Sequence, residues 1–139
     1  MKFSNASQGR LDTCDNRLQD LFEAVIAAGH DCTIIEGHRN REAQDEYFRT
    51  GKSKMKWPDG KHCKIPSMAV DVMPCPINWS DRKGLEAFAL IVFATAAKLG
   101  IAVRWGGDWN QNGKSDDERF FDGPHWEIVE PVGTDKVGS

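Results

Sequence analysis

Two histidines and one aspartate are the residues of this chain best suited to holding a metal. His62 lies in a loop that feeds the apolar run Ala69-Val70-Asp71-Val72-Met73, and His125 opens a second run ending at Val129. A carboxylate inside an apolar strand is expensive to bury unless a charge compensates it. A divalent cation supplies that charge, and two imidazoles with one carboxylate suit zinc while leaving a fourth position for water. Spacing alone leaves other readings open. Asp71 could cap a helix or pair with an arginine, and the histidines could be unrelated core and surface residues.

Other residues near these carry chemistry of their own. Glu127 shares a strand face with His125, which makes it either a base or a partner that orients a ligand. Arg39, read by itself, is a surface arginine opening a helix. The loop Asp108-Trp109-Asn110-Gln111-Asn112-Gly113 offers side-chain oxygens at alternate positions and a glycine at the turn, as a calcium loop does. An EF-hand needs Glu at its twelfth position; Arg119 stands there, with Asp116, Asp117 and Glu118 as substitutes. A Ca2+ site and a plain polar turn both stay open. Of the tryptophans, Trp105 and Trp126 flank strands and read as core, whereas Trp109 reads as either cleft or core.

The elements that must position these residues can be traced from periodicity. Leu11, Cys14, Leu18, Leu21, Phe22, Val25 and Ile26 recur at helical spacing, and Gly29 follows as a stop. Residues 32–36 read as a buried strand. Asn40 caps a helix through Tyr47 and Phe48 that Gly51 ends. A Lys-, Gly- and Pro-rich loop spans 52–66, and 67–73 alternates as a strand with Ala69, Asp71 and Met73 on one face. Ser80 is placed to cap a helix over 81–99, with Leu85, Phe88, Val92, Ala96 and Leu99 as its apolar face and Gly100 as its end. Strands are expected at 101–105 and 125–129. The sum is an α+β fold: one small domain, an antiparallel-rich sheet with flanking helices and a zinc site. The catalytic domain is expected over 1–130, with a mobile tail at 131–139.

Composition narrows the function further. The 139 residues are 40% hydrophobic and 28% charged, which fits one globular domain with a real core. A formal charge of -3 and a pI near 5.8 argue against nucleic acid as a partner. Lys52, Lys54, Lys56, Lys61 and Lys64 read as a solvated loop. Cys14, Cys32, Cys63 and Cys75 contain no Cys-x-x-Cys pair, and the N-terminus MKFSNASQGR is polar where a secretory signal is apolar. They read as reduced thiols of a cytoplasmic product. No segment is long and apolar enough to span a bilayer, and a monomer is expected.

The run His62-Cys63-Lys64-Ile65-Pro66-Ser67-Met68-Ala69-Val70-Asp71 resembles the metal motif of the phage-type L-alanyl-D-glutamate peptidases. These endolysins belong to the larger D-alanyl-D-alanine carboxypeptidase family of zinc peptidases. Trp105-Gly106-Gly107-Asp108-Trp109-Asn110 with Asp122-Gly123-Pro124-His125-Trp126-Glu127 is similar to the family's closing motif. Glu36-Gly37-His38-Arg39, Gln44 and Gly51-Lys52-Ser53-Lys54 resemble its substrate-side arginine region. The commonest family form reads His-x-x-Gly-x-Ala-x-Asp, and here Lys64 and Ser67 stand at its histidine and glycine. The ligand role therefore passes to His62, as in the variant His-x-x-x-Pro-Ser-x-Ala-x-Asp, with Cys63 a chemically possible substitute.

The resemblance implies a zinc endopeptidase that cuts the L-Ala–D-Glu bond of peptidoglycan stem peptides. Its metal ligands would be His62, Asp71 and His125, its general base Asp122, and Arg39 would face the substrate carboxylate or oxyanion. It also implies an enzyme held in the host bacterial cytoplasm until a holin opens the membrane. A D-Ala–D-Ala carboxypeptidase or dipeptidase would use the same metal site. A wall-binding module with a degenerate site is the alternative outside enzymes.

Overall fold

The computed structural model describes residues 1–112 and 121–130. Their elements are α1 (Asn5–Leu11), α2 (Asn16–Ala27), β1 (Cys32–Glu36), α3 (Arg41–Arg49), a 3-10 turn (Lys61–Cys63), β2 (Ala69–Pro74), α4 (Arg82–Leu99), β3 (Val103–Trp105) and β4 (His125–Ile128). The four strands form one antiparallel sheet in the order β1-β2-β4-β3. The expected α+β architecture is the one observed. The expected tail 131–139 and the residues Asp116, Asp117, Glu118 and Arg119 lie outside the described residues.

The first apolar run is two helices, not one. Asp15 breaks it by capping α2 through its side chain, which accepts from Arg17 N. The linking residues are tied elsewhere: Ser67 N donates to Thr13 O, and Asp15 N donates to Ser67 O. That exchange joins the α1–α2 corner to the loop ahead of β2. α4 is capped by Asp81 rather than Ser80, because the Asp81 carboxylate accepts from Gly84 N at 3.0 Å. Gly100 ends α4 at φ +70, a left-handed cap that glycine adopts without strain. Leu99, assigned by spacing to the apolar face, is instead exposed at the helix end.

α2 and α4 pack together on one face of the sheet, where Leu18, Leu21, Phe22 and Val25 meet Leu85, Phe88, Val92 and Ala96. Trp126 is the fully buried hub. It takes the edges of Phe22 at 6.3 Å and Phe93 at 5.0 Å and stacks on Trp105 at 6.0 Å. Truncating such a residue to alanine typically costs about 3–5 kcal/mol. Among the described residues, no helix is long and apolar enough to cross a membrane.

Candidate metal centre and cleft

Strand alternation and register place the polar residues of the sheet together. Trp126 and Ile128 face the helices, so His125 and Glu127 project from the opposite face. Asp71 pairs with His125 across β2 and β4, and Arg104 pairs with Glu127 across β3 and β4. Directly opposed residues share a face. Three strands thus deliver Asp71, His125, Glu127 and Arg104 to the floor of one cleft of about 840 Å3.

His62 comes from outside the sheet, on the 3-10 turn. Its backbone carbonyl accepts from Arg39 N at 2.8 Å, and its Nδ1 lies 2.8 Å from Gly37 O. A carbonyl only accepts, so Nδ1 carries the proton and Nε2 is left with its lone pair. Gly37 is itself packed against the corner after α1, where a Cβ would strike Arg10 O and Thr13 Oγ1.

His62 Nε2 lies 3.2 Å from Asp71 Oδ1, and His125 Nδ1 lies 3.5 Å from the same oxygen. The three ligand atoms all fall within 4.8 Å of one another. A tetrahedral zinc site with bonds of about 2.0–2.2 Å spaces its ligands roughly 3.3–3.6 Å apart. The donor set and its spacing therefore fit such a metal. The second nitrogen of His125, Nε2, is 2.8 Å from Glu127 Oε1, the carboxylate–histidine arrangement that orients metal-binding imidazoles.

The buried charges of the cluster hold one another in place. Burial opposes the Asp71 carboxylate, but the charges and hydrogen bonds of His62 and His125 outweigh it and hold its pKa below the usual range. Burial likewise opposes a charged His125, yet hydrogen bonds to Asp71 and Glu127 raise its pKa to about 9. Glu127 is desolvated too, but His125, Lys61 and Arg104 lower it to about 2.

Asp122 sits at the edge of this group, its Oδ2 4.0 Å from His125 Nδ1. Desolvation and the neighbouring Asp71 push its pKa above the ordinary aspartate value. Gly106 makes its position possible. Gly106 N donates to His125 O, Asp122 N donates to Gly106 O, and a Cβ on Gly106 would overlap the Asp122 carbonyl oxygen.

Arg39 lines the cleft from the β1 side and is largely buried. It is more committed than its sequence position implies. Nε and Nη2 donate to Glu36 Oε1, Nη1 donates to Gln44 Oε1 at 2.9 Å, and the guanidinium lies 4.4 Å over Tyr47. Its Nη2 is 3.7 Å from Asp71 Oδ2. Gln44, almost fully buried, donates in turn to Ser53 Oγ and Met55 O and fixes the loop after α3.

Cys63 turns away from the cluster, with its Sγ 3.6 Å from Gln44 Oε1. Lys64 is exposed, and its carbonyl accepts from His38 Nδ1. Trp109 lies in the cleft wall with its ring 5.0 Å from that of His125. Asp108 and Asn110 both accept from Asn112 N, as in a polar turn, and the rest of that loop lies outside the described residues. Sequence reasoning did not single out Arg104 or Trp79 as cleft residues, and it read Lys61 only as loop. The Arg104 signal was available: like Asp71, it is a charge between apolar neighbours on a strand, Val103 and Trp105.

Three similarities agree with this geometry. The model of the family described as phage L-alanyl-D-glutamate peptidase matches residues 1–129. The L-alanyl-D-glutamate peptidase of Escherichia phage T5 is 35% identical, over 92% of this chain and 98% of that protein. The crystal structure of the Serratia marcescens L-Ala D-Glu endopeptidase ChiX superposes with a TM-score of 0.74 at 25% identity, covering 93% of this chain and 90% of that one. The chain belongs to the phage L-alanyl-D-glutamate peptidase family.

Proposed function

We propose that this protein is a zinc-dependent endopeptidase that hydrolyses the L-Ala–D-Glu bond of peptidoglycan stem peptides. The observation that carries the reading is the His62–Asp71–His125 cluster on the cleft floor with Asp122 beside it, in a chain of this family. Zinc, when bound there, supplies an acidified water and a Lewis acid for the scissile carbonyl.

The residues of the chain do the remaining work. Glu127 fixes the ring of His125, and Gly37 O fixes that of His62. Asp122, a carboxylate of raised pKa, takes a proton from the attacking water and returns it to the amide nitrogen of the departing D-Glu. Arg39, held by Glu36 and Gln44, keeps two of its five N–H groups for the oxyanion. The protein acts as a monomer and reaches the wall from the host cytoplasm once the membrane has been opened by another protein. Calcium binding at Asp108, Asn110 and Asn112 would tie down the loop beside the cleft; titration calorimetry on zinc-saturated protein tests it, and absence of a heat signal leaves a polar turn.

Digestion of purified peptidoglycan with mass spectrometry of the new termini tests the main reading. Expected are N-terminal glutamate, or its amidated form, and alanine as a free carboxyl terminus on the muramyl side. Release of single D-alanine residues would make the enzyme a carboxypeptidase, and new reducing sugar ends would refute peptidase action.

A further inference from the structure

We propose that Arg104 is a specificity-determining residue that binds the free carboxylate of the D-glutamate being released, so that stems with this carboxylate unmodified are preferred over amidated ones. The inference rests on the L-Ala–D-Glu reading above. A glutamate acylated by L-alanine carries two carboxyl groups, and only one of them continues the stem. The other remains as a negative charge within a few bonds of the scissile nitrogen. The cleft lining mixes carboxylates, among them Asp71, Asp122, Glu127 and Glu36, with basic residues, so where that charge settles depends on which cation has donors left to receive it.

Most of the nearby cations are already engaged. Arg39 gives three N–H groups to Glu36 and Gln44, and its remaining two are those assigned to the oxyanion. Lys61 donates to Ile128 O at 2.6 Å and lies 3.3 Å from Glu127. Arg104 is different. Among the described residues it makes one hydrogen bond, from Nη2 to Glu127 Oε2 at 2.7 Å, and its buried Nε has no partner. Its guanidinium sits 5.3 Å from the ring centroid of Trp109, which holds the plane while leaving the remaining N–H groups unspent.

Position agrees with chemistry. The sheet order β1-β2-β4-β3 puts Asp71 and His125 on the two central strands. Arg39 follows β1 at one margin of the sheet, and Arg104 lies on β3 at the other. Arg104 is one carboxylate removed from His125, through Glu127. A carbonyl placed at the cluster thus has an arginine on each side. One is available to the oxyanion, and the other, separated from His125 by Glu127, is available to a carboxylate next to the scissile bond. A guanidinium recognises a carboxylate by paired N–H donors, which a neutral amide cannot match.

The test uses zinc-loaded, full-length protein and two synthetic peptides. Both are N-acetyl-L-alanyl-D-γ-glutamyl-L-lysine, with the glutamate α-carboxyl either free or amidated. Wild type is expected to favour the free acid in kcat/KM by about 10- to 100-fold, the scale of one charge-assisted contact. Arg104→Gln should bring that ratio close to one, mainly through KM, and Arg104→Lys should restore part of it. Lys98→Gln, exposed in the last turn of α4 and outside the cleft, should leave the ratio in place. Equal cleavage of both peptides by wild type would overturn the proposal. So would an Arg104→Gln enzyme slowed by the same factor on both, because that is the signature of an arginine that only steadies Glu127. If wild type cuts neither peptide between alanine and glutamate, the underlying L-Ala–D-Glu reading fails, and this one with it.

Discussion

Glu127 Oε1 lies 2.8 Å from His125 Nε2, and this contact turns the other ring nitrogen of His125 towards Asp71. Because Glu127 is held ionised by His125 as well as by Lys61 and Arg104, it accepts the Nε2 proton and leaves Nδ1 facing Asp71, where the proposed metal would bind. Its carboxylate is thereby fully occupied, which distinguishes it from Asp122. Glu127→Gln should lower zinc affinity about 10- to 100-fold, the usual loss when an imidazole loses its orienting carboxylate. Activity measured at saturating zinc should recover most of the way. A deep loss of turnover with zinc still bound would move the base role to Glu127.

Asp122→Asn separates base from ligand. Fold and zinc content should survive while turnover falls about 100- to 10,000-fold, the range for loss of a general base. The sign of the pH effect follows from its raised pKa. The base works only when ionised, so the rate should fall as pH drops through a value above that of an ordinary aspartate. That acid limb should weaken or vanish in Asp122→Asn. Loss of zinc in this variant would make Asp122 a ligand.

Metal uptake should be coupled to proton release. Without metal, Asp71 and Glu127 raise the His125 pKa to about 9, so near pH 7 this imidazole is protonated and must lose its proton to bind. Calorimetry in buffers of different ionisation enthalpy should find about one proton released per zinc at pH 7. The metal-free protein carries the matching stability trend. The His125 contribution is fully present below its ordinary pKa of 6.5 and is lost as pH rises through about 9. Metal-free protein whose melting temperature climbs steadily from pH 7 to 10 would contradict this.

The ligand assignment at the altered motif has a direct check. His62→Ala should lose zinc, whereas Lys64→Ala and Cys63→Ala should keep it, because Lys64 is exposed and the Cys63 thiol faces Gln44. Zinc loss in Lys64→Ala would mean that the turn carries its ligand two residues later than the geometry indicates.

Much of this site was legible before any coordinates. Asp71 stood out because a carboxylate among valines needs a partner, and strand alternation put Glu127 on the face of His125. The strands, the Asn40 cap and the glycine ends of three helices, at Gly29, Gly51 and Gly100, were legible from local chemistry alone. Long-range ties were not. The break between α1 and α2 depends on backbone bonds from Thr13 and Asp15 to Ser67, which helical periodicity cannot register. Neither could spacing reveal how far Arg39 is already spent on Glu36 and Gln44. Arg104 carried a local signal, a charge between Val103 and Trp105, but its partner Glu127 is set by the β3–β4 register.

Zinc content set against hydrolysis tests the central claim most directly. Protein stripped by a strong chelator should be inactive on peptidoglycan, and added zinc should restore activity in proportion until about one equivalent is bound. His125→Ala, which removes one of the three proposed protein ligands, should neither take up that equivalent nor recover. Full hydrolysis by stripped protein, with no metal detected by elemental mass spectrometry, would contradict the account.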